Sequence, residues 1–239
     1  MATPPESHPA RLANRQSRAR QRLGYLLGKI ASDAPAPASG SAAAAVVAAS
    51  AALLQKVALR SDKWTGAESA HQRAEDLRLR AEELIELDSV SFLEFVAAQR
   101  SGADVESARQ KTIDTPLEIA RAGATVVELT RMLEKNGNHN LMADSVAASI
   151  LARAAVATAA MLVEVNLVGS SEDSRIDEVR RLVREVSASA DRPGAPVRAS
   201  DSGRVRARSG GTDRQSGPRT SSGGPSGRAG GHPGSPRSR

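Results

Sequence analysis

The chain of 239 residues is long enough for one good-sized domain or two small ones. It contains no cysteine, which excludes disulfides, thiolate metal sites and cysteine nucleophiles. Its four histidines, at positions 8, 71, 139 and 232, form no ligand cluster, so we expect no metal site. With two Phe, one Tyr and one Trp the core must be aliphatic, and the alanine-rich runs favour an all-α fold.

The formal net charge of +6 is concentrated at the two ends of the chain. Residues 192–239 carry ten Arg and two Asp, a charge of +8, and residues 1–22 carry five Arg and one Glu, a charge of +4. A charge of −6 therefore remains for residues 23–191. Because the positive charge lies at the ends, it says little about what the domain itself binds, and we expect nucleic-acid binding only as weak polyanion binding by residues 190–239.

In chain order, the composition predicts a disordered segment at 1–16, one helical domain over 17–189 and a disordered Arg/Gly/Ser/Pro-rich tail at 190–239. The predicted helices cover 17–31, 41–60, 65–100, two shorter segments that meet near Pro116 and end near 135, 140–168 and 173–187. The antiparallel bundle expected from them has no strand. No signal-peptide pattern follows the N-terminus, and the uncharged stretch at 42–55 is too short to span a bilayer, which predicts a cytoplasmic protein.

The junction between the first two helices combines a Pro/Gly/Ser loop with a long run of small apolar residues. Pro35 and Pro37 favour an extended backbone, Gly40 permits a tight one, and Ser41 is a candidate helix cap. The amides of the first helical turn then form a potential site for an anion or a carbonyl group.

A carboxylate interrupts the apolar face of the third predicted helix. Asp88 would be costly to bury in its charged form, which makes it a candidate acid/base group. The alternative is a slight roll of the helix that turns Leu87 inward and leaves Asp88 at the solvent border. The residues at alternating three and four spacing are Ala74, Leu77, Ala81, Leu84, Asp88, Ser91 and Phe95.

A second polar group lies in the turn NGNHNLMAD at 136–144. Asn138 or Asn140 can cap the following helix and Asp144 can favour its first turn, so plain capping is an alternative to a site. Asn166 lies in an otherwise apolar helix and is either a structural hydrogen-bonding residue or part of a site. Lys63 and Lys56 can be ordinary surface lysines.

Taken together, these elements resemble the cyclodeaminase/cyclohydrolase family over about residues 23–173. That family includes the cyclodeaminase half of formiminotransferase-cyclodeaminase and bacterial methenyltetrahydrofolate cyclohydrolases. The matching residues are the Pro-x-Pro-x-x-Gly-Ser loop at 35–41, Leu84 with Asp88 and Phe92, Pro116–Ala120, Gly137 with Asn138, Asn140 and Asp144, and Val163 with Asn166 and Leu167.

The resemblance implies an all-helical homodimer that acts on a tetrahydrofolate derivative as substrate, without a covalently bound cofactor. The implied reaction is hydrolysis of 5,10-methenyltetrahydrofolate to 10-formyltetrahydrofolate, or cyclisation of 5-formiminotetrahydrofolate with loss of ammonia. Hydrolysis is favoured because no formiminotransferase domain precedes this one. Asp88 would move the proton, and the implied substrate-binding residues are Gly40, Ser41, Lys63, Asn138, Asn140, Asp144 and Asn166.

Four positions depart from the family pattern. Ala38 and Ser39 replace two loop glycines, Lys56 replaces an apolar residue, and Leu162 replaces an asparagine. Glycine replacement costs most where φ is positive or where a ligand approaches the backbone. These departures motivate an alternative hypothesis, a catalytically weakened helical dimer that serves as a binding or interaction module.

Overall fold

Helices form almost all of the chain that this computed structural model describes, which is residues 23–169 and 172–188, and this part contains no strand. The expected disordered ends, 1–16 and 190–239, lie outside the described residues. The helices are α1 at 23–30, α2 at Ser39–Leu59, α3 at Ala67–Ser101, α4 at Val105–Asn136, α5 at Met142–Asn166 and α6 at Ser174–Ser187. A 3₁₀ turn at His139–Leu141 leads into α5.

α4 runs through Pro116 without a break, so the prediction of two helices that meet there is wrong. Proline has no N–H, and the carbonyl of Thr112, four residues earlier, loses its helical donor. The side-chain Nδ2 of Asn166 on α5 donates to that carbonyl at 2.7 Å. Because a neighbouring helix supplies the missing hydrogen bond, and Pro116 is itself buried, the helix continues.

The long helices alternate in direction around α2. Ser41 near the start of α2 contacts Asp88, whereas Gln55 near its end contacts Arg78, so α3 is antiparallel to α2. α5 is also antiparallel to α2, because Lys56 pairs with Asp144 in the first turn of α5. We call the end of the bundle that holds Asp88 and the start of α2 the Asp88 end.

The opposite end holds the close of α2 and the turn around Asn138, and we call it the Asn138 end. α2 has 21 residues, so the two ends are separated by about 30 Å at 1.5 Å per residue. α6 packs across α4 and α5 through four buried side chains. These are Ile176, Val179, Leu182 and Val186.

Small residues allow α2, α4 and α5 to approach closely. A β-carbon at Gly123 on α4 would lie 2.7 Å from Cγ2 of Val156 on α5 and 3.5 Å from Cγ2 of Val47 on α2. Such distances leave no room for a side chain, and van der Waals contact between the three helices depends on its absence. The aliphatic core predicted from the composition is confirmed, with Leu54, Ile113 and Val163 fully buried.

α2 and α5 also leave apolar surface uncovered. By length and composition alone both would pass as membrane-spanning helices within the described part of the chain. The uncharged stretch at 42–55 lies inside α2, in agreement with the predicted helix at 41–60. The bundle buries 50% of the most apolar 18-residue segment of α2. In the stretch His139–Asn166 it buries 39% of the corresponding segment. Three apolar side chains on α5, Ile150, Met161 and Val165, are each about half exposed. The described helices of one chain therefore leave this face of α5 partly uncovered.

Candidate functional site

The Asp88 carboxylate lies against the first turn of α2. The side chain is half-buried, whereas Leu87 beside it is 39% exposed. Ala81, Leu84 and Ser91, from the same predicted face, are buried. The predicted face of α3 is therefore confirmed, and the alternative in which Leu87 points inward is wrong.

Gly40 is the residue that allows this approach. A β-carbon at Gly40 would overlap Oδ1 of Asp88 and would lie 2.5 Å from its Cγ and 2.8 Å from its Oδ2. No side chain can occupy this position unless the carboxylate moves. The sequence predicts only a tight backbone at Gly40, whereas the structure shows that this glycine makes room for the candidate acid/base group.

Ser41 does not cap α2, which corrects the sequence prediction. The helix begins at Ser39 with Ala38 at the N-cap position and no side-chain cap. Ser41 follows within the first turn, where its fully buried side chain points across to α3. Its Oγ donates to Oδ2 of Asp88 at 2.8 Å, so the hydroxyl serves the carboxylate instead of the helix terminus.

Two opposing effects act on the protonation of Asp88. Burial is the larger, and it raises the pKa of the carboxyl above its ordinary value of 3.8 because the charged form loses solvation. Hydrogen bonds from the side chain and the backbone amide of Ser41 favour the anion and partly offset that rise. A carboxyl with a raised pKa, in reach of solvent, can both take and release a proton, as general acid/base catalysis requires.

Two groups beside the carboxylate were missed by the sequence reasoning. The hydroxyl of Ser89 and the carbonyl oxygen of Ile85 each lie 3.1 Å from Oγ of Ser41. Ser89 also lies 3.3 Å from the Ile85 carbonyl, one turn earlier on α3. Neither a serine next to an aspartate nor a backbone carbonyl forms a recognisable sequence motif. Only the packing of α2 on α3 therefore identifies these two groups.

At the Asn138 end the capping interpretation is confirmed for the 3₁₀ turn but not for the following helix α5, which has no side-chain cap. Asn138 caps the 3₁₀ turn, with its Oδ1 accepting from the backbone N–H of Asn140 at 3.0 Å. Its Nδ2 donates to the carbonyl of Arg60 at 2.8 Å, and its own N–H donates to Oγ of Ser61 at 2.9 Å. These bonds tie the end of α4 to the end of α2, which gives Asn138 a structural role.

The other predicted residues at this end are more exposed. Lys63 lies on the loop between α2 and α3, and Asn140 lies on the 3₁₀ turn, both exposed to solvent. Asp144 in the first turn of α5 accepts from Nζ of Lys56 at 2.7 Å, and the Lys56 side chain is 57% exposed. The lysine that departs from the family pattern therefore pairs with a residue that belongs to it.

Asn166 lies at the Asp88 end but outside the carboxylate cluster. Its Nδ2 donates to the Thr112 carbonyl, and its backbone carbonyl accepts from Arg109 at 3.1 Å. The structure thus gives Asn166 the hydrogen-bonding role that was one of its two predicted alternatives. One chain brings Gly40, Ser41 and Asp88 together, with Asn166 at the same end.

The remaining predicted residues, Lys63, Asn138, Asn140 and Asp144, lie at the opposite end. Ser41 and Lys56 are fifteen residues apart on α2, about 22 Å along the helix axis. What the sequence predicts as one site is therefore two separate groups of residues within one chain.

The two replaced loop glycines do not disturb the Asp88 cluster. Ala38 has φ −139° and ψ −142°, and Ser39 is the first residue of α2. Both have negative φ or helical conformations that residues with a side chain adopt without strain, and both are exposed. The glycine whose missing side chain is needed is Gly40, which this chain retains.

Comparison with known proteins agrees with this architecture. The profile of the family described as formiminotransferase-cyclodeaminase matches residues 22–185. The fold is similar to the crystal structure of a formiminotetrahydrofolate cyclodeaminase from Thermotoga maritima, with a TM-score of 0.59 and 24% sequence identity. That likeness covers 67% of this chain and 85% of the Thermotoga chain. None of the curated proteins matches the chain.

Proposed function

The chain belongs to the formiminotransferase-cyclodeaminase family, and from this premise we propose that it is a folate-dependent one-carbon enzyme with Asp88 as its proton-transferring group. The substrate is 5,10-methenyltetrahydrofolate, hydrolysed to 10-formyltetrahydrofolate, or 5-formiminotetrahydrofolate, cyclised with loss of ammonia. The observation that supports this proposal best is the half-buried Asp88 carboxyl, held by Ser41 against a position that only glycine can fill.

Both reactions pass through a tetrahedral carbon between N5 and N10 of the folate, and both need a proton moved at that carbon's substituents. In hydrolysis, Asp88 in its ionised form accepts a proton from the water that adds to the methenyl carbon. The same carboxyl then delivers a proton to N5 as the bond between N5 and that carbon breaks. In cyclisation the proton goes to the departing ammonia.

The surroundings of Asp88 suit a flat, partly apolar ligand. Phe92 lies one helical turn after Asp88 on α3, and its side chain is 40% exposed. The exposed ring offers an apolar face to the pterin, while the first turn of α2 offers backbone donors to carbonyl or anionic groups.

A homodimer is part of the proposal. The uncovered faces of α2 and α5 are apolar and uncharged over most of their length, and Ile150, Met161 and Val165 lie on the α5 face. In a two-fold dimer with α2 antiparallel to its symmetry mate, the Asn138 end of a second copy lies near the Asp88 end of the first. Lys63, Asn140 and Asp144 of a second copy would then line the folate site.

We expect light scattering to give a dimer. Met161→Glu and Val165→Glu together place charges on the proposed interface, and we expect them to yield monomers with reduced turnover. The variant would contradict the dimeric site if it were monomeric and fully active. We further propose that the enzyme is soluble and cytoplasmic.

The test of function is the loss of the methenyltetrahydrofolate chromophore with purified full-length protein. Asp88→Asn keeps the size of the side chain and removes the proton-transferring group. We therefore expect a fall in kcat of roughly 10²–10⁴-fold, the range typical of a general acid/base. Asp76→Asn is the matched control, because Asp76 is another aspartate of α3 with a side-chain partner, Gln72. Its turnover should equal that of the unmodified protein.

Formiminotetrahydrofolate is assayed in parallel, with release of ammonia as the readout. The faster of the two reactions identifies the natural one-carbon unit. Folate binding without acceleration of either reaction would contradict the enzymatic function. It would favour the alternative, a helical dimer that acts as a binding module. Neither binding nor turnover would contradict both.

A further inference from the structure

The hydroxyl of Ser41 has more oxygen neighbours than its single proton can serve. Its Oγ lies 2.8 Å from Oδ2 of Asp88, 3.1 Å from the carbonyl oxygen of Ile85 and 3.1 Å from Oγ of Ser89. A hydroxyl donates one hydrogen bond and accepts two. The Ser41 hydroxyl therefore donates its proton either to Asp88 or to the carbonyl of Ile85. Which of the two accepts it depends on the protonation of the neighbouring oxygens.

When Asp88 is ionised, its carboxylate can only accept, so the Ser41 hydroxyl donates to Oδ2. Ser89 then donates to Oγ of Ser41, which is otherwise short of a donor. When Oδ2 is protonated, the carboxyl O–H donates to Oγ of Ser41 and the Ser41 proton turns to the Ile85 carbonyl. No heavy atom moves between these two arrangements, because only hydroxyl protons rotate.

We propose that Ser41, Ser89 and the Ile85 carbonyl form a hydroxyl network that satisfies the Asp88 carboxyl in both its protonated and its ionised form. Ser89 is a positioning residue that acts through Ser41, since its bond to Ser41 Oγ polarises the hydroxyl that donates to Asp88. The proposal rests on the proposed function for its catalytic meaning, but the network itself is a property of the protein without substrate.

The charged groups around this part of the bundle are exposed or engaged elsewhere. α2 carries a single charged residue, Lys56, near the Asn138 end. On α4, Lys111 pairs with Glu94 and Asp114 pairs with Arg175. The exposed carboxylates next in sequence to the cluster are Glu86 on α3 and Asp33 in the loop before α2. Burial and Ser41 are the causes that act on the pKa of Asp88, and no charged side chain is among them.

The test is a pH titration of the Asp88 carboxyl carbon by ¹³C NMR on the full chain, with Asp88→Asn to assign the signal. Removing the donor in Ser41→Ala should raise the midpoint. Ser89→Ala should raise it in the same direction by a smaller amount, about a fifth of that shift, since one bond strengthens the next by roughly 10–30%. The double variant should match Ser41→Ala alone, because Ser89 acts only through Ser41.

Two further variants make the outcome specific. Ser89→Thr retains the hydroxyl and should return the midpoint to that of the unmodified protein. Ser50→Ala removes a buried hydroxyl of α2 that bonds only the Val46 carbonyl of its own helix among the described contacts, and it should leave the midpoint unchanged.

An unchanged midpoint in Ser89→Ala, or a double variant whose shift is the sum of the two single shifts, would overturn the proposal. Because the titration needs no folate, it gives its answer whether or not the protein turns over methenyltetrahydrofolate. Failure of the network and failure of the proposed function are therefore distinguishable.

Discussion

The two ends of α2 use similar polar residues in opposite ways. At the Asp88 end a carboxyl is half-buried, its hydrogen bonds come from another helix, and burial raises its pKa. At the Asn138 end the polar side chains are more exposed, and Asn138 bonds the backbone of the segments that it joins. Residues of both ends belong to the family motifs, so a motif match alone does not separate a reactive group from a structural one.

The physical difference lies in what each group loses when it leaves water. Asp88 exchanges solvation for two hydrogen bonds from Ser41, and the lost solvation is the larger effect, so the pKa of Asp88 stays above its ordinary value. Asn138 is neutral and only half-buried, so it gives up less solvation, and its side chain bonds backbone groups of the two segments that it joins. The first arrangement costs stability, and under the proposed function that cost accompanies proton transfer by Asp88, whereas the second arrangement adds stability.

The largest effect is expected for Gly40→Ala. The new β-carbon overlaps the Asp88 carboxylate, so either the carboxylate rotates away or α2 shifts from α3. We expect a loss of about 1–3 kcal/mol in the free energy of unfolding, as for overpacked cores, and a large loss of turnover. Denaturant unfolding measures the first and the chromophore assay the second.

Two variants serve as controls for Gly40→Ala. Gly28→Ala in α1 has no atom within 4 Å of the added carbon and should cost nothing. The double variant Gly40→Ala, Asp88→Ala removes the overlapping carboxylate and should regain most of the lost stability. If the double variant stays as unstable as Gly40→Ala, the contact with Asp88 is not the reason for the glycine.

An effect on stability alone, without the large loss of turnover, is expected for Asn166→Ala. The change leaves the Thr112 carbonyl without the donor that Pro116 cannot provide, which costs about 1–3 kcal/mol for an unpaired buried group. Pro116→Ala restores a backbone N–H to α4. The cost of Asn166→Ala should therefore fall by at least half in the Pro116→Ala background, and equal costs in both backgrounds would contradict the pairing.

Most of the helical architecture could be predicted from the sequence, because periodic apolar residues and caps act locally. The face of α3 that carries Asp88 follows from spacing alone, and α4 ends at Asn136, close to the predicted end near 135. The break at Pro116 was predicted wrongly because proline's local effect was considered without Asn166. That partner lies fifty residues away in sequence, and no local rule could supply it.

The site was only partly predictable for a related reason. The sequence identifies Asp88 as a charge on an apolar face. The hydrogen bond that it accepts from Ser41, however, depends on how α2 and α3 pack. The sequence predicts Ser41 to be a cap because serine near a helix start usually is one. The separation of Lys63 and Asn140 from Asp88 was also hidden, since order along the chain does not give distance across a bundle.

The smallest predicted effect concerns how stability depends on pH. The pKa of Asp88 is raised in the folded protein, so the folded state binds its proton more tightly than the unfolded chain does. The contribution of Asp88 to the free energy of unfolding should therefore fall as the pH rises from the ordinary aspartate value, 3.8, through its raised pKa. The difference between the unmodified protein and Asp88→Asn isolates this contribution from carboxyls whose pKa is lowered, such as Asp173 and Glu178. Asp88→Asn carries no charge to bury. It should match the unmodified protein below that interval and become the more stable of the two above it.

Asn138→Ala is the matched contrast from the other end of α2. It removes a neutral cap, so its cost of about 1 kcal/mol should be the same at every pH. Urea unfolding of the three proteins at a series of pH values separates the two behaviours. If Asp88→Asn were destabilising above the interval, the carboxylate would be a stabilising group like Asn138, and the contrast between the two ends of α2 would not hold.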